Sequence, residues 1–554
     1  MGILDWIVLG SSLAFIVLYG YWKSKNIQSS HAYFKGNDDT QWWTIGLGVM
    51  ATQASAITFM STPGQAFYDG LGFVQIYFGL PLAMVIISVT FIPLYHKLKV
   101  YTAYEFLEKR FDLKTRSLTA VLFLVQRGLA AGITIYAPAI ILSTLLGWDL
   151  NTLNILIGGL VILYTVSGGT QAVNVTQKQQ MFVIMAGMFF VFYYILTHIH
   201  PDVDFSKAMQ IASLAGKTEV VNFSFDPSNR YTIWSGLLGG LFLSLSYFGT
   251  DQSQVQRYLS GSSMTNSRLG LVFNGILKIP MQFFILLTGV LVFVFYQFHP
   301  APVFYNNTTV SKIEKTTSKS EWVTLTKSFD SIQTEKKQLL VNQHISNPDQ
   351  LKKLWNQEKE LKLKSQALIK SALPEEETND KDYVFIHFIL ENLPSGLIGL
   401  LLAVIFAAAM SSTSAELNAL ATITAVDIYK RNINQNVDDK HLLFLSRMFT
   451  VSWGLLAILF ASFGNLYENL IQLVNIVGSI FYGVILGIFI IAFYFKRLLA
   501  NEVFYGALIA QTAVLCIFFT LDIGYLWLNA IGCVAVVLFS MFLRIMNFGR
   551  VKIS

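Results

Sequence analysis

The chain has 554 residues, of which 54% are hydrophobic and only 13% charged, and its mean hydropathy is +0.53. A soluble protein carries about twice that share of charged residues, and apolar windows of 18 or more residues recur here along nearly the whole length. The composition therefore excludes a soluble fold and a β-barrel of short alternating strands, and the net charge of +6, spread over loops, does not indicate nucleic-acid binding. Cys516 and Cys533 lie in apolar segments and indicate no disulfide framework or metal cluster.

The apolar segments predict an all-α polytopic membrane protein with thirteen transmembrane helices. In chain order these lie at about 5–22, 43–69, 73–95, 117–146, 151–167, 170–197, 231–252, 267–298, 394–428, 441–463, 466–496, 502–520 and 525–546.

Basic residues fall on alternate loops and so predict the orientation. The loop after the third helix carries six of them, whereas the short loops Gly147–Asn151 and Leu521–Tyr525 carry none. Basic loops stay on the cytoplasmic side. We therefore expect the N-terminus outside, the C-terminus in the cytoplasm, and a multi-pass location in the plasma (inner) membrane.

Two polar stretches interrupt the helices, at 198–230 and 300–385. The second is rich in Lys and Glu, and Asp349–Leu373 has helical spacing with nearly balanced charges. A solvated hairpin or lid is the expected structure, with a dedicated binding domain as the alternative. The segment has no Cys, no Gly and one His, His344, so it carries no phosphate loop or metal site and gives no sign of an enzyme.

The second helix contains hydroxyl residues followed by a Pro-Gly pair. Thr58, Ser61 and Thr62 precede Pro63 and Gly64, so we expect the helical hydrogen bonds to fail near this point. Free carbonyls at membrane depth are tolerated where they face protein, a cavity or an ion. The segment therefore predicts an ion site in a transporter, with a plain structural kink as the alternative.

Residues 401–430 carry four consecutive hydroxyl residues, 411–414, inside an apolar helix. Ser411 and Ser412 lie one turn after Ala408 and can offer oxygen atoms to a dehydrated Na⁺. The alternative is that these hydroxyls bond back to their own helix or allow helices to approach closely.

Arg127 lies about ten residues into the helix that starts near 117, roughly 15 Å deep at 1.5 Å per residue. A buried guanidinium normally has a partner. It can reach toward the cytoplasm, bond carbonyls of a broken helix, or bind an anionic substrate, in two-point fashion if that is a carboxylate.

Four motifs in order resemble the sodium/solute symporter family, which includes glucose, proline, iodide, monocarboxylate and sialic acid carriers. They are TAYEFLEKRF (102–111), ILYTVSGGTQAV (162–173), SYFGTDQSQVQRYLSG (246–261) and AAAMSSTSAELNALATITAVDIYK (407–430). The resemblance covers about residues 5–500.

The resemblance implies a leucine-transporter-like fold, in which five helices are repeated upside down by five more. The implied parts are an N-terminal helix and cytoplasmic loop (1–42), the first repeat (43–197), an outer loop (198–230), the first part of the second repeat (231–299), the extracytoplasmic insertion (300–385), the rest of the second repeat (386–498), and two C-terminal helices with a short basic tail (499–554).

The resemblance also implies the site residues. Sodium would bind to backbone carbonyls near Thr52 and Ser55, the carbonyl of Ala408, and the hydroxyls of Ser411 and Ser412. Substrate candidates are Thr58, Ser61, Thr62, Gln75, Arg127, Tyr136, Tyr247 and Phe248. An interfacial role for Gln75, and packing or gating roles for the aromatics, are the alternatives.

One departure from the family pattern concerns the number of sodium ions. Many relatives carry an acid after the threonine at 176, where this chain has Gln177, and Ala415 replaces a second hydroxyl beside Ser414. An amide is a poorer partner for a cation than a carboxylate. We therefore expect one Na⁺ per substrate.

These residues predict a Na⁺-coupled symporter that imports a small organic solute by alternating access. SAITFMSTPGQAF, VQRGLAAGITIYAPA and NFSFDPSNRYTIW look most like bacterial sialic acid carriers and the iodide and monocarboxylate branch. With Arg127 available, we expect an anionic solute, sialic acid or another carboxylate; the alternative is a neutral sugar or polyol. The lipid bilayer and this solute are the expected partners, with no nucleic acid and no obligate protein partner.

Overall fold

The described part of the chain is helical, and its long helices follow the apolar segments. The computed structural model describes residues 2–24, 40–98, 100–342, 348–463 and 469–551. Within these ranges nine helices are long and apolar enough to cross a membrane, and three shorter apolar helices accompany them. The prediction of an all-α membrane protein is confirmed, whereas the count of thirteen helices and the orientation stay predictions. The loop at 25–39 and the last residues of the basic tail lie outside the described ranges.

Twenty α-helices are described, together with a 3₁₀ helix and two π-helical segments. They are α1 (Ile3–Ser24), α2 (Trp42–Gln53), α3 (Ala56–Asp69), the 3₁₀ helix (Gly70–Tyr77), α4 (Leu80–Leu98), α5 (Glu105–Arg110), α6 (Leu113–Leu146), α7 (Leu150–His198), α8 (Phe205–Leu214), a π segment (Ser235–Gly239), α9 (Gly240–Gly249), α10 (Gln252–Leu259), α11 (Met264–Phe298), α12 (Asn307–Ile313), α13 (Lys319–Asn342), α14 (Pro348–Ala372), α15 (Lys381–Asn392), α16 (Leu397–Ile423), a π segment (Thr424–Ile433), α17 (Asp439–Phe463), α18 (Leu470–Tyr494), α19 (Ala500–Thr520) and α20 (Tyr525–Val551).

Helix α7 covers the two helices predicted at 151–167 and 170–197. Near its start, Asn154 donates to the carbonyl of Ala461 at the end of α17, over 3.1 Å. Near its end, Tyr194 donates to the carbonyl of Asn392, just before α16, over 2.5 Å. A short connection joins α16 to α17, so the start of α16 and the end of α17 lie at the same end of the bundle. Both ends of α7 contact that end, so α7 is not one straight helix of 49 residues. The side chains at 167–176, which include part of one motif, lie outside the description.

The helix predicted at 43–69 is interrupted at Ala54 and Ser55. Helix α2 ends at Gln53, Ser55 is extended, and α3 begins at Ala56. The interruption expected at Pro63 and Gly64 is therefore misplaced, because both residues lie inside α3. A proline removes one hydrogen bond, which neighbouring helices can compensate, whereas an extended residue ends the helix.

The helix predicted at 231–252 ends at Gly249, and a second short helix, α10, follows beyond the predicted end. Thr250 and Asp251 separate these two short helices. Asp251 caps α10, since its carboxylate accepts the backbone N–H of Ser253 over 2.9 Å. Two discontinuous helices therefore lie in the bundle, and α16 packs against both parts of the first one, α2 and α3.

The segment at 300–385 forms helices α12–α14 and packs on the end of α3. We call α13 and α14 the lid hairpin. Lys362 of α14 places its ammonium 4.9–5.7 Å from the centres of four aromatic rings, Phe67, Tyr68, Tyr305 and Phe329. Cation–π contacts of this kind are most favourable when shielded from water. The lid hairpin is thus attached to α3, whose end carries two of these rings.

Candidate functional site

A partly open cavity lies beside the interruption between α2 and α3 and against the last turns of α9. Its volume is about 90 Å³, and side chains of α2, α3, the 3₁₀ helix, α6, α9, α16 and α18 line it. Polar side chains form part of its wall, so the cavity can hold several waters.

Six of the predicted site residues meet at this cavity: Thr52, Ser55, Thr58, Arg127, Tyr247 and Phe248. Four substrate candidates do not line it: Ser61, Thr62, Gln75 and Tyr136.

The amide of Gln75 is fully engaged in the fold. It donates to the carbonyls of Gly72 and Tyr231, each over 3.1 Å, and accepts the N–H of Asn222 over 3.0 Å. This geometry matches the alternative interpretation of Gln75 as an interfacial polar residue.

Ser61, Thr62 and Tyr136 are buried outside the wall of this cavity. Thr62 accepts from Gln282 of α11 over 3.4 Å. Ser61 faces Asp382 of α15, and Tyr136 lies within electrostatic range of the same carboxylate. The three residues therefore belong to the packing between α3, α11, α6 and α15 in this state.

Arg127 is paired with two buried carboxylates. Its Nη1 donates to Oε1 of Glu416 over 3.0 Å, and its Nη2 donates to the hydroxyl of Tyr482 over 2.6 Å and to the carboxylate of Asp251. At most 8% of any of these three ionisable side chains is exposed. The ring of Tyr247 lies 5.4 Å from the guanidinium, and Nε has no hydrogen-bond partner within the described chain. We call Arg127, Asp251, Glu416 and Tyr482 the arginine cluster.

With both acids ionised, the arginine cluster carries a net charge of −1. Burying an ion pair is costly, and an uncompensated buried charge costs more. A cation bound nearby, or a proton on one acid, would remove this penalty. The site is therefore suited to a cation, and an anion can bind at Arg127 only when this negative charge is balanced.

Three members of this cluster were not among the predicted residues. Glu416 is the single acid in α16, and a lone carboxylate in so apolar a helix is costly enough to indicate a partner. Asp251 belongs to the TDQ motif and lies at the interruption itself. Tyr482 is one of 24 tyrosines and gave no sequence signal.

The hydroxyls at the predicted sodium site have different environments. The buried Oγ of Ser411 has no partner among the residues described. Ser412 bonds back to the carbonyl of Ala408 over 3.1 Å, as the alternative interpretation of this pair expects. The carbonyl of Ser55 accepts the N–H of Thr58 over 2.9 Å. A buried hydroxyl oxygen without a protein partner is available as a ligand for a hard cation.

Gln177 lies against the end of α2. Its amide nitrogen donates to the hydroxyl of Thr52 over 2.9 Å, and its oxygen is buried without a partner in the described structure. Thr52 also donates to the carbonyl of Gly48, over 2.9 Å. The residue that replaces the usual acid therefore touches the predicted sodium site through Thr52.

Comparisons with known proteins agree on one group of membrane carriers. The sequence model of the sodium:solute symporter family matches residues 33–328 and 365–510. The chain is 26% identical to the sodium/sialic acid symporter SiaT of Proteus mirabilis, over 97% of this chain and 94% of that protein. It is 27% identical to the human sodium-coupled monocarboxylate transporter 1, over 94% of this chain and 73% of that protein.

A solved structure shares the fold over nearly the whole length. It is a Na⁺-coupled sialic acid symporter in a substrate-bound outward-open state, and it superposes with a TM-score of 0.76 at 24% identity. The superposition covers 98% of this chain and 97% of that chain.

Proposed function

Because this chain belongs to the sodium:solute symporter family, we propose that it imports a small carboxylate-bearing solute with Na⁺ by alternating access. Sialic acid and smaller organic acids are the solutes that its similarity to SiaT and to the monocarboxylate transporter supports. A neutral sugar or polyol is the second candidate, favoured by the uncharged polar groups of Thr58, Ser244 and Asn475 at the cavity.

The observation that carries the anionic assignment is the position of Arg127. It is the one basic residue among those described at the cavity wall, and it is almost fully buried. A guanidinium presents paired donors that match the two oxygens of a carboxylate. The aromatic rings of Tyr247 and Phe248 lie beside it and offer an apolar surface to the rest of the solute.

We assign the sodium ion to the predicted oxygen ligands: the carbonyls of Thr52, Ser55 and Ala408, and the hydroxyls of Ser411 and Ser412. The packing of α16 on α2 and α3, and the unpartnered Oγ of Ser411, support this assignment. An ion held there ties the interrupted helix to α16 and so favours one conformation of the cavity. The expected ratio is one Na⁺ per solute.

The finer architecture belongs to the same proposal. Thirteen helices in a leucine-transporter-like inverted repeat would place one discontinuous helix in each half, and the two interruptions at 54–55 and 250–251 support that arrangement. The N-terminus would lie outside, with the insertion at 300–385 on the same side and the C-terminus in the cytoplasm.

Alternating access requires the cavity to open toward each side in turn. The cavity reaches Arg127, while α15 and the lid hairpin pack on the end of α3. Opening toward the lid side would therefore separate α3 from α15.

Uptake into vesicles tests the proposal. Purified protein in proteoliposomes is supplied with labelled N-acetylneuraminate, lactate, glucose or inositol, under an inward Na⁺ gradient or with K⁺ in its place. We expect accumulation of a carboxylate with Na⁺ only. Accumulation of glucose or inositol alone would favour the second candidate, and uptake at the same rate without Na⁺ would reject coupled transport.

A further inference from the structure

Glu416 pairs with the cavity arginine and lies one helical turn after Ser412, one of the proposed sodium ligands. It follows Ser412 by four residues on α16, so the two side chains share a face about 6 Å apart along the axis. It also lines the same cavity as Thr52 and Ser55. Its carboxylate can therefore interact with Arg127 on one side and with a cation at the sodium site on the other.

The two acids of the arginine cluster are held differently. Asp251 accepts the N–H and the hydroxyl of Ser253, over 2.9 and 2.7 Å, and the hydroxyl of Tyr482 over 2.8 Å. Glu416 has one further donor besides Arg127, the hydroxyl of Thr134 at 2.9 Å. Asp251 is thus fixed by its capping role, and Glu416 is the acid that can leave Arg127.

A carboxylate substrate would be the third acid around one guanidinium. With Asp251 and Glu416 both ionised, its arrival changes the charge of the cluster from −1 to −2. A like charge about 4 Å away weakens binding roughly a thousandfold at an effective dielectric constant of about 20. Substrate binding at Arg127 therefore requires that the charge of Glu416 be balanced or moved.

We propose that Glu416 stays paired with Arg127 while no Na⁺ is bound. Na⁺ binding draws the Glu416 carboxylate away, which frees Arg127 for the substrate carboxylate. This inference rests on the proposed function. It makes Glu416 a positioning residue for coupling, because the solute gains its arginine only after the cation has bound.

Two substitutions at position 416 separate charge from shape. Glu416→Gln removes the charge, and Glu416→Asp keeps it. Glu502→Gln is the matched control, since Glu502 is a buried acid of α19 paired with Arg544, outside the cavity. Melting curves of the purified proteins establish that each variant is folded.

The first measurement is a Na⁺ titration of thermal stability without solute. Removal of a negative charge near the ion should weaken the apparent Na⁺ affinity of Glu416→Gln at least about tenfold, with Glu416→Asp and Glu502→Gln close to the unaltered protein. An unchanged Na⁺ affinity in Glu416→Gln would overturn the inference.

The second measurement is N-acetylneuraminate binding with saturating Na⁺ and with choline in its place. The quantity compared is the affinity with Na⁺ divided by the affinity with choline. We expect this ratio to fall at least about tenfold in Glu416→Gln, because Arg127 is then available without Na⁺. In Glu416→Asp the ratio should stay as in the unaltered protein. A ratio equal to that of the unaltered protein would overturn the inference. If the unaltered protein binds no N-acetylneuraminate with Na⁺, the proposed solute is wrong, and the solute-free titration alone decides the role of Glu416.

Discussion

Gly64 of α3 lies directly against the backbone carbonyl of Lys381, at the start of α15, so that a Cβ at position 64 would overlap that carbonyl. The ammonium of Lys381 pairs with Asp69 at the end of α3, over 2.6 Å. Tyr68 donates to Asp380 over 2.9 Å. The close approach of two backbones, which only glycine permits, therefore brings the polar residues of α15 onto the interrupted helix.

Gly64→Ala should prevent this closed packing. The added methyl group meets backbone atoms, which cannot rotate away, so we expect loss of transport and a lower melting temperature. Gly159→Ala in α7 is the control, because a Cβ there has no neighbour within 4 Å. Uptake rates and melting curves of both variants check the prediction. Normal uptake by Gly64→Ala would show that the contact with Lys381 is dispensable.

Arg127→Ala should destabilise the protein as well as abolish carboxylate uptake. The substitution leaves two buried acids without a cation, and breaking a buried ion pair from one side costs about 3–5 kcal/mol. Arg127→Ala combined with Glu416→Gln should regain part of this stability but not the uptake. Chemical unfolding of the single and double variants measures the first effect, and vesicle uptake measures the second. If the single variant kept an unaltered half-saturation concentration for the carboxylate, Arg127 would not bind the solute.

Ser411→Ala should weaken sodium binding with little effect on folding. Its hydroxyl has no partner in the described chain, so its removal breaks no protein hydrogen bond. We expect the Na⁺ concentration for half-maximal uptake to rise at least about tenfold. Ser446→Ala in α17, whose hydroxyl bonds back to Leu442, should leave that concentration unchanged. Equal Na⁺ dependence in the two variants would remove Ser411 from the site.

Acidification should stabilise the contact between α15 and α18 through Asp382. Burial raises the pKa of this carboxyl to about 6, while one oxygen accepts the N–H of Leu470 over 3.0 Å. The folded state then holds a proton that the unfolded chain loses near pH 4, so stability falls as the pH rises from about 4 to about 6 and stays low above that. A two-unit shift corresponds to about 3 kcal/mol at most.

Asp382→Asn isolates this contribution. The amide keeps the acceptor for Leu470 but does not titrate, so the melting temperature of the variant should change less between pH 8 and pH 5 than that of the unaltered protein. At pH 8 the variant should be at least as stable. Parallel pH profiles for the two proteins would contradict the assignment.

The apolar pattern predicted the helices well because the bilayer demands long uninterrupted apolar segments. It placed the first interruption at Pro63 because proline is the strongest local signal, whereas the chain is interrupted at Ala54 and Ser55, which have no such signature. At the second interruption, Asp251 caps α10 and pairs with the buried Arg127, which lies far away in the sequence. Local sequence therefore predicted where the apolar helices lie but not the points at which they are interrupted.

At the candidate site, the sequence predicted Arg127 but not the acids with which it pairs. Arg127 was expected to have a partner, and the family resemblance indicated the cavity around it. Its partners Asp251 and Glu416 lie 124 and 289 residues further along the chain, and only the fold brings them together. Gln75 and Tyr136 were expected at the cavity because of their helices, but their side chains point to other interfaces.

The unbalanced charge of the arginine cluster has a consequence for the return half of the cycle. If Glu416 stays ionised, the unloaded carrier moves a negative centre through the electric field when it resets. An interior-negative voltage then assists the outward reset, by up to about 2.3 kcal/mol per 100 mV if the whole field is crossed. The membrane voltage of an energised cell would thus speed the reset of the unloaded carrier. Depolarisation would slow turnover even at saturating sodium and solute.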